Sequence, residues 1–146
     1  MIDPIAVALG VFAVCFGPLL VLGFSRLGGW KRLAEVYPGV KTRPRSLTVL
    51  GYAVFARWIG YNGGLIVAVD AESLHLALWP PLSWLGHPPI RIPWREFLKI
   101  ERRPRWFGDV YALPTKGAQE VDFALRPSTF ALIREQARAA GVPGDY

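Results

Sequence analysis

Residues 5–24 read IAVALGVFAVCFGPLLVLGF, twenty positions in a row without a charged side chain. As a helix rising about 1.5 Å per residue, the segment reaches about 30 Å, the thickness of a bilayer's hydrocarbon core. A helix buried in a water-soluble domain rarely runs so far without one polar residue. The residues ahead of it, Met1-Ile2-Asp3-Pro4, carry no base, and the exit Gly23-Phe24-Ser25-Arg26 shows no small-x-small cleavage pattern. Those are not the flanks of a cleaved signal peptide, so a retained single transmembrane helix is expected over 5–24. Cys15 falls inside it as a small hydrophobe, and Pro18 after Gly17 removes one backbone hydrogen bond, so a kink is expected there.

Charge gives the helix a direction. Arg26, Lys31, Arg32, Lys41, Arg43 and Arg45 follow the span against a single Glu35, whereas only Asp3 and the amino terminus precede it. The positive-inside rule then puts residues 1–4 outside the cell and the rest in the cytoplasm. The same bases, in a chain of net charge +6, are candidate contacts for anionic lipid or for a partner, because each Lys or Arg near such a surface contributes about 1 kcal/mol.

Behind the span, Gly28-Gly29 breaks the helix, and residues 30–37, WKRLAEVY, place Trp30, Leu33, Ala34 and Tyr37 at i, i+3, i+4 and i+7. That stripe makes a short amphipathic helix. It either lies in the membrane interface or caps the core of the domain that follows, and both can hold together. Pro38-Gly39 stops it. The juxtamembrane stretch thus runs over 25–46 and the domain over 47–146.

From residue 47 the hydrophobic period becomes two. Residues 47–56 form an apolar strand-forming run. Asn62-Gly63 reads as a hairpin turn, residues 64–70 as a strand, and Asp70-Ala71-Glu72 as the next turn. In 73–79, Leu74, Leu76 and Leu78 alternate with Ser73, His75 and Ala77, the pattern of a half-buried antiparallel strand. Further strands are expected over 90–94, 97–103, 109–113 and 121–125, with a turn at Lys116-Gly117. The chain then returns to helix, opened by Pro127 at its first position or by Ser128 as cap. Phe130, Ile133, Ala137 and Ala140 lie on one side, and Gly141 ends it. About seven short strands and one helix point to a small barrel or sandwich.

The run YNGGLIVAVDAESLHLAL followed by IPWREFLKIERR resembles bacterial pleckstrin-homology-like domains of the PH/GRAM type. The matching residues are Asp70, Leu74 and Leu76, then Ile92, Pro93, Trp94, Phe97 or Leu98, and Ile100, and the likeness spans residues 45–141. It implies a bent, partly open seven-stranded antiparallel barrel plugged at one end by the C-terminal helix. Together with the apolar span, a bacterial chain of this kind is expected in the inner (cytoplasmic) membrane. The phosphoinositide-binding members cluster bases after the first strand. Here that region holds Arg57 alone, so phosphoinositide recognition is not implied.

No constellation for catalysis emerges. Two histidines and one cysteine offer no metal-ligand spacing and exclude an internal disulfide. His75 is expected to be a solvated side chain on a strand's polar face. His87, in Gly86-His87-Pro88-Pro89, is either a loop polar contact or an isolated proton acceptor. Gly60-Tyr61-Asn62-Gly63-Gly64 lacks the Lys-Ser/Thr of a phosphate loop and precedes a strand. Neither enzyme activity nor a cofactor is expected. Arg91, Arg95, Arg102, Arg103 and Arg105 crowd together with Trp94 and Trp106 between them. Such a group can face solvent, anionic lipid or single-stranded nucleic acid, and for a membrane-tethered chain lipid is the simpler partner.

The loop 79–89, WPPLSWLGHPP, is the least ordinary segment. It joins two strands yet carries Trp79, Leu82, Trp84 and Leu85, where loops normally present polar residues. Its prolines stiffen it and lower the entropy cost of docking. It either enters the bilayer, meets a protein partner, or folds back on the barrel. With attachment features and no chemistry, the expected role is an accessory or scaffolding subunit of a membrane protein complex, of which respiratory and photosynthetic assemblies are examples. The alternative is a lipid-binding or lipid-sensing protein that uses its basic face.

Overall fold

In a computed structural model, described over residues 4–40, 48–56, 59–80 and 82–146, the chain forms a long apolar helix, a curled antiparallel sheet and a C-terminal helix. Helix α1 (Pro4–Leu27) continues through Pro18. It is long and apolar enough to cross a membrane. Ser25 is its only buried residue, so its side chains stand clear of the rest of the molecule along nearly the whole length. Gly28 and Gly29 turn the chain into α2 (Trp30–Val36). The stripe read from the sequence, Trp30, Leu33, Ala34 and Tyr37, is buried, and it belongs to the same hydrophobic core as the sheet.

The sheet contains β1 (Thr48–Phe55), β2 (Ile59–Val69), β3 (Ser73–Leu78), β4 (Ile90–Pro93), β5 (Glu101–Arg105), β6 (Gly108–Ala112) and β7 (Phe123–Leu125) in the order β4-β3-β2-β1-β7-β6-β5. Two meanders therefore join where β7 pairs with β1. A further segment bonds at each end of the sheet. Segment 37–39 pairs along β4 through Gly39 N–H to Pro89 O and Arg91 N–H to Tyr37 O. Next to β5, Ile100 bonds Pro143 and Asp145 in the carboxyl-terminal tail, which passes so close that Gly144 has no room for a side chain. β5 itself is charged and contains Pro104, features that only an edge strand tolerates and that discourage pairing with another chain.

The sequence places a hairpin turn at Asn62-Gly63, but the structure does not. Phe55 pairs with Ile59, so the two strands meet there instead, and Ala56 after β1 has φ 48°. Arg57 and Trp58 lie outside the described residues. Asn62-Gly63 instead forms an irregularity inside β2, where the register jumps from Gly51–Leu65 to Tyr52–Asn62. Helix α3 (Pro127–Ala139) places Thr129 against β1 at this point. On the side of β1 away from β2, Tyr52 O accepts from Arg126 N–H and the Tyr52 N–H donates to Thr129 Oγ1 at 2.8 Å. A Cβ on Gly51 would meet the Thr129 methyl at 2.8 Å. Glycine and bulge together let the helix close the barrel.

α3 buries Thr129, Phe130, Ile133 and Ala137, with Phe130 stacked on Tyr111 at 4.0 Å. Ala140, expected on the buried side, is exposed. Gly141, at φ 75°, takes the left-handed position, and Val142 N–H returns to Ala137 O.

Candidate interaction surface at the helix–barrel junction

The end of α1 is built into the barrel. Ser25 Oγ donates to Gly86 O at 2.5 Å, and Leu22 packs against Gly86. Gly28 lies against Phe55 and Ile59, and Gly29, at φ 86°, lies against Val121. Trp30 then enters the core with no exposed surface. Its indole N–H donates to Pro88 O at 2.9 Å, and its ring lies 5.2–5.5 Å from those of Phe55, Tyr61 and His87. The β1–β2 hairpin, the 118–122 segment and the 85–88 loop thus all converge on the α1–α2 turn.

His87 is fully buried in this cluster. Its Nδ1 faces Leu85 O at 2.9 Å and its Nε2 faces the Tyr61 hydroxyl at 2.8 Å. A carbonyl only accepts, so Nδ1 carries the proton and Nε2 accepts from Tyr61. Burial lowers the His87 pKa and raises that of Tyr61, so both are neutral. Of the two sequence readings of His87, the loop polar contact is the one observed. His75, expected in solvent, is instead largely buried, with Nε2 2.7 Å from Asp70 Oδ2. Asp70 Oδ1 accepts from the Glu72 and Ser73 amides. Partial burial raises the Asp70 pKa, but these hydrogen bonds outweigh it, so the carboxyl stays below its ordinary range.

The loop 79–89 divides in two. From Gly86 to Pro89 it folds back onto the junction, with His87 buried and Gly86 and Pro88 exposed. Trp79 is 59% and Trp84 78% exposed. Trp84 closes a 3₁₀ turn that begins at Leu82, and Leu85 is half-buried behind it. The side chain of Leu82 lies outside the described residues, as do Lys41, Arg43 and Arg45.

The remaining bases are spread over the molecule. Arg26 is exposed and, among the described residues, makes no ion pair or side-chain hydrogen bond. Lys31 lies 3.9 Å from Glu35, and Arg32 binds Glu120 at 2.8 Å. On β5, Arg102 pairs with Asp109, Arg103 with Glu101, and Arg105 with Asp122. Arg91 donates to Ser73 and Glu72. The β4 and β5 arginines, at opposite edges of the sheet, thus each have an acidic neighbour. Trp94 does not alternate with the arginines on the surface: it is buried and donates to Asp70 O. Trp106 is 90% exposed on the β5–β6 hairpin.

A groove of about 720 Å³ beside β4 is lined by Arg91, Arg95, Glu72 and Trp94. A smaller cavity of about 230 Å³ opens between α1, α2 and the 86–88 segment. Among the described residues no cluster of three His, Cys, Asp or Glu side chains is placed to hold a metal. The sequence reading overlooked Ser25, Tyr61 and Gly86 as junction residues. A serine directly after an apolar run was the one local signal; the others are brought in from 36 to 61 positions away by the fold. No family model, curated protein or solved structure matches this chain.

Proposed function

We propose that this chain is a non-catalytic, single-pass membrane protein that presents a pleckstrin-homology-like half-barrel to a protein partner, as an accessory or scaffolding subunit of a larger complex in a bacterial inner membrane. The observation that carries this reading is the junction. α1 leaves uncovered an apolar surface that a water-soluble monomer does not tolerate. Yet its last turn is held to the barrel by Ser25, Gly28 and Trp30 rather than by a free linker. A tether that only needed to localise a domain would not require this. A rigid mount keeps Trp79 and Trp84 at a fixed height and angle, which is what docking on a neighbour in the same membrane demands. Arg26, Lys31 and Arg32 behind the span support a cytoplasmic barrel.

The test is extraction in a mild detergent followed by native electrophoresis and identification of co-purifying proteins. A specific set of membrane proteins is expected to travel with the chain and to be released by Trp84→Ala. A chain that migrates alone as a monomer refutes the subunit reading.

A further inference from the structure

The 230 Å³ cavity at the foot of α1 has a mixed lining. Leu22, Ala34 and Pro88 supply its apolar part, and Arg26, Lys31 and Glu35 its charged part. Leu22 and Arg26 are four residues apart, hence on one helix face and separated by about 6 Å along the axis. The apolar stretch of α1 ends at Phe24, between these two levels, so the cavity straddles the plane where hydrocarbon would give way to headgroups. The Ser25–Gly86 hydrogen bond and the Leu22–Gly86 contact fix two of its walls, so its shape exists before any ligand arrives.

We propose that this cavity seats one anionic phospholipid from the leaflet on the barrel side, with its phosphodiester on Arg26 and Lys31 and its acyl chains along Leu22. The inference rests on the reading of α1 as a membrane span. Two cations against the one carboxylate of Glu35 leave a surplus of one positive charge, which a headgroup of single negative charge neutralises. Arg26 has no carboxylate partner among the described residues, and its planar fork suits two phosphate oxygens. The exposed Trp84 lies two residues before Gly86. Its ring therefore meets the same interface, where indoles settle with the ring among the chains and the N–H in the headgroups.

The full chain, delipidated in mild detergent, is titrated with phosphatidylglycerol or phosphatidylcholine and read by native mass spectrometry. One retained phosphatidylglycerol per chain is expected, at least about tenfold preferred over phosphatidylcholine. Arg26→Gln with Lys31→Gln should lower retention about tenfold or more; Arg134→Gln on the far helix should not. All three side chains are exposed, so these variants fold. Equal retention of both lipids, no loss in the double variant, or equal loss in Arg134→Gln overturns the proposal. Displacement by inorganic phosphate also overturns it, since a free-anion site would not need the apolar wall. Alkaline extraction of membranes holding the full chain separates the two readings. Release into the soluble fraction refutes the span itself, whereas a chain that stays in the membrane without this lipid refutes only the seat.

Discussion

Replacing Trp30 with alanine tests whether α1 and the barrel are one mechanical unit. The indole is completely withdrawn from water. A side chain of that size buries about 150–250 Å², worth about 4–6 kcal/mol at about 25 cal/mol/Å². Some surface is recovered as neighbours relax, and Trp→Ala changes in cores cost about 3–5 kcal/mol. Loss of the hydrogen bond to Pro88 adds little, because Pro88 is exposed and water replaces the donor. Against a total stability of about 5–15 kcal/mol, a loss near 4 kcal/mol lowers the thermal midpoint by about 15 °C or more. Near-ultraviolet circular dichroism of the full chain in detergent reads that shift. Spin labels on Cys15 and on a Glu135→Cys variant read the second effect. Trp30 holds α2, β1, β2 and the 86–88 segment together, so its loss should broaden the α1-to-α3 distance distribution. Trp30→Phe, which keeps a ring, should lose less than half as much stability. A midpoint shift under about 4 °C with an unchanged distance distribution refutes the argument.

Trp84→Ala should leave the unfolding free energy within about 0.5 kcal/mol of the parent, as surface changes do, while Trp94→Ala, which empties a buried site, should cost about 3–5 kcal/mol; thermal melts of the two decide it. His87 is buried and its pKa lies below the ordinary 6.5, so between those two values the unfolded chain binds the proton and the folded one does not. Stability gained from His87 is then fully present above pH 6.5 and is lost as pH falls toward the folded value; denaturant titrations should show this slope in the parent and less of it in His87→Gln. In intact cells of a Cys15→Ser strain, a cysteine in place of Asp145 should resist a membrane-impermeant thiol reagent, and labelling there reverses the orientation.

Elements whose burial alternates with their own local period were legible from the sequence. The β3 leucines, the α2 stripe and the Gly141 stop all appear where the pattern puts them, because one face of each meets the core and the other does not. The β1–β2 turn was misread for the opposite reason. Asn62-Gly63 has the chemistry of a tight turn, but β2 runs on through it, and the pliable pair takes up a register shift against β1 instead. The arginines were misleading in another way. As a string, 102–105 looks like a basic patch, yet Asp109 of β6 and Asp122, just ahead of β7, come to meet them. Within the 79–89 loop, composition marked an unusual segment but not its division. Only the fold decides that His87 turns inward to Tyr61 while Trp84 turns outward.

Gly28-Gly29 poses the sharpest conflict between local and tertiary readings. In sequence the pair is a helix break, which a free joint between α1 and the domain would also explain. In the fold each glycine is there for close approach. A Cβ on Gly28 would lie 2.7 Å from Phe24 O and 3.2 Å from Ile59, and one on Gly29 would lie 2.8 Å from a Val121 methyl. Gly29 also adopts φ 86°, which costs a non-glycine residue about 1–2 kcal/mol. The two readings predict opposite signs for Gly29→Ala. At a free joint, alanine removes unfolded-state entropy and stabilises by about 0.4–1 kcal/mol, and it narrows the distance distribution between α1 and α3. At a packed corner it must push Val121 aside and strain the backbone. The midpoint then falls and the distribution widens, as Trp30 swings away from Pro88. Destabilisation with a wider distribution is the expected result, and a stabilised, narrower Gly29→Ala protein would mean that the half-barrel hangs from its span by a hinge.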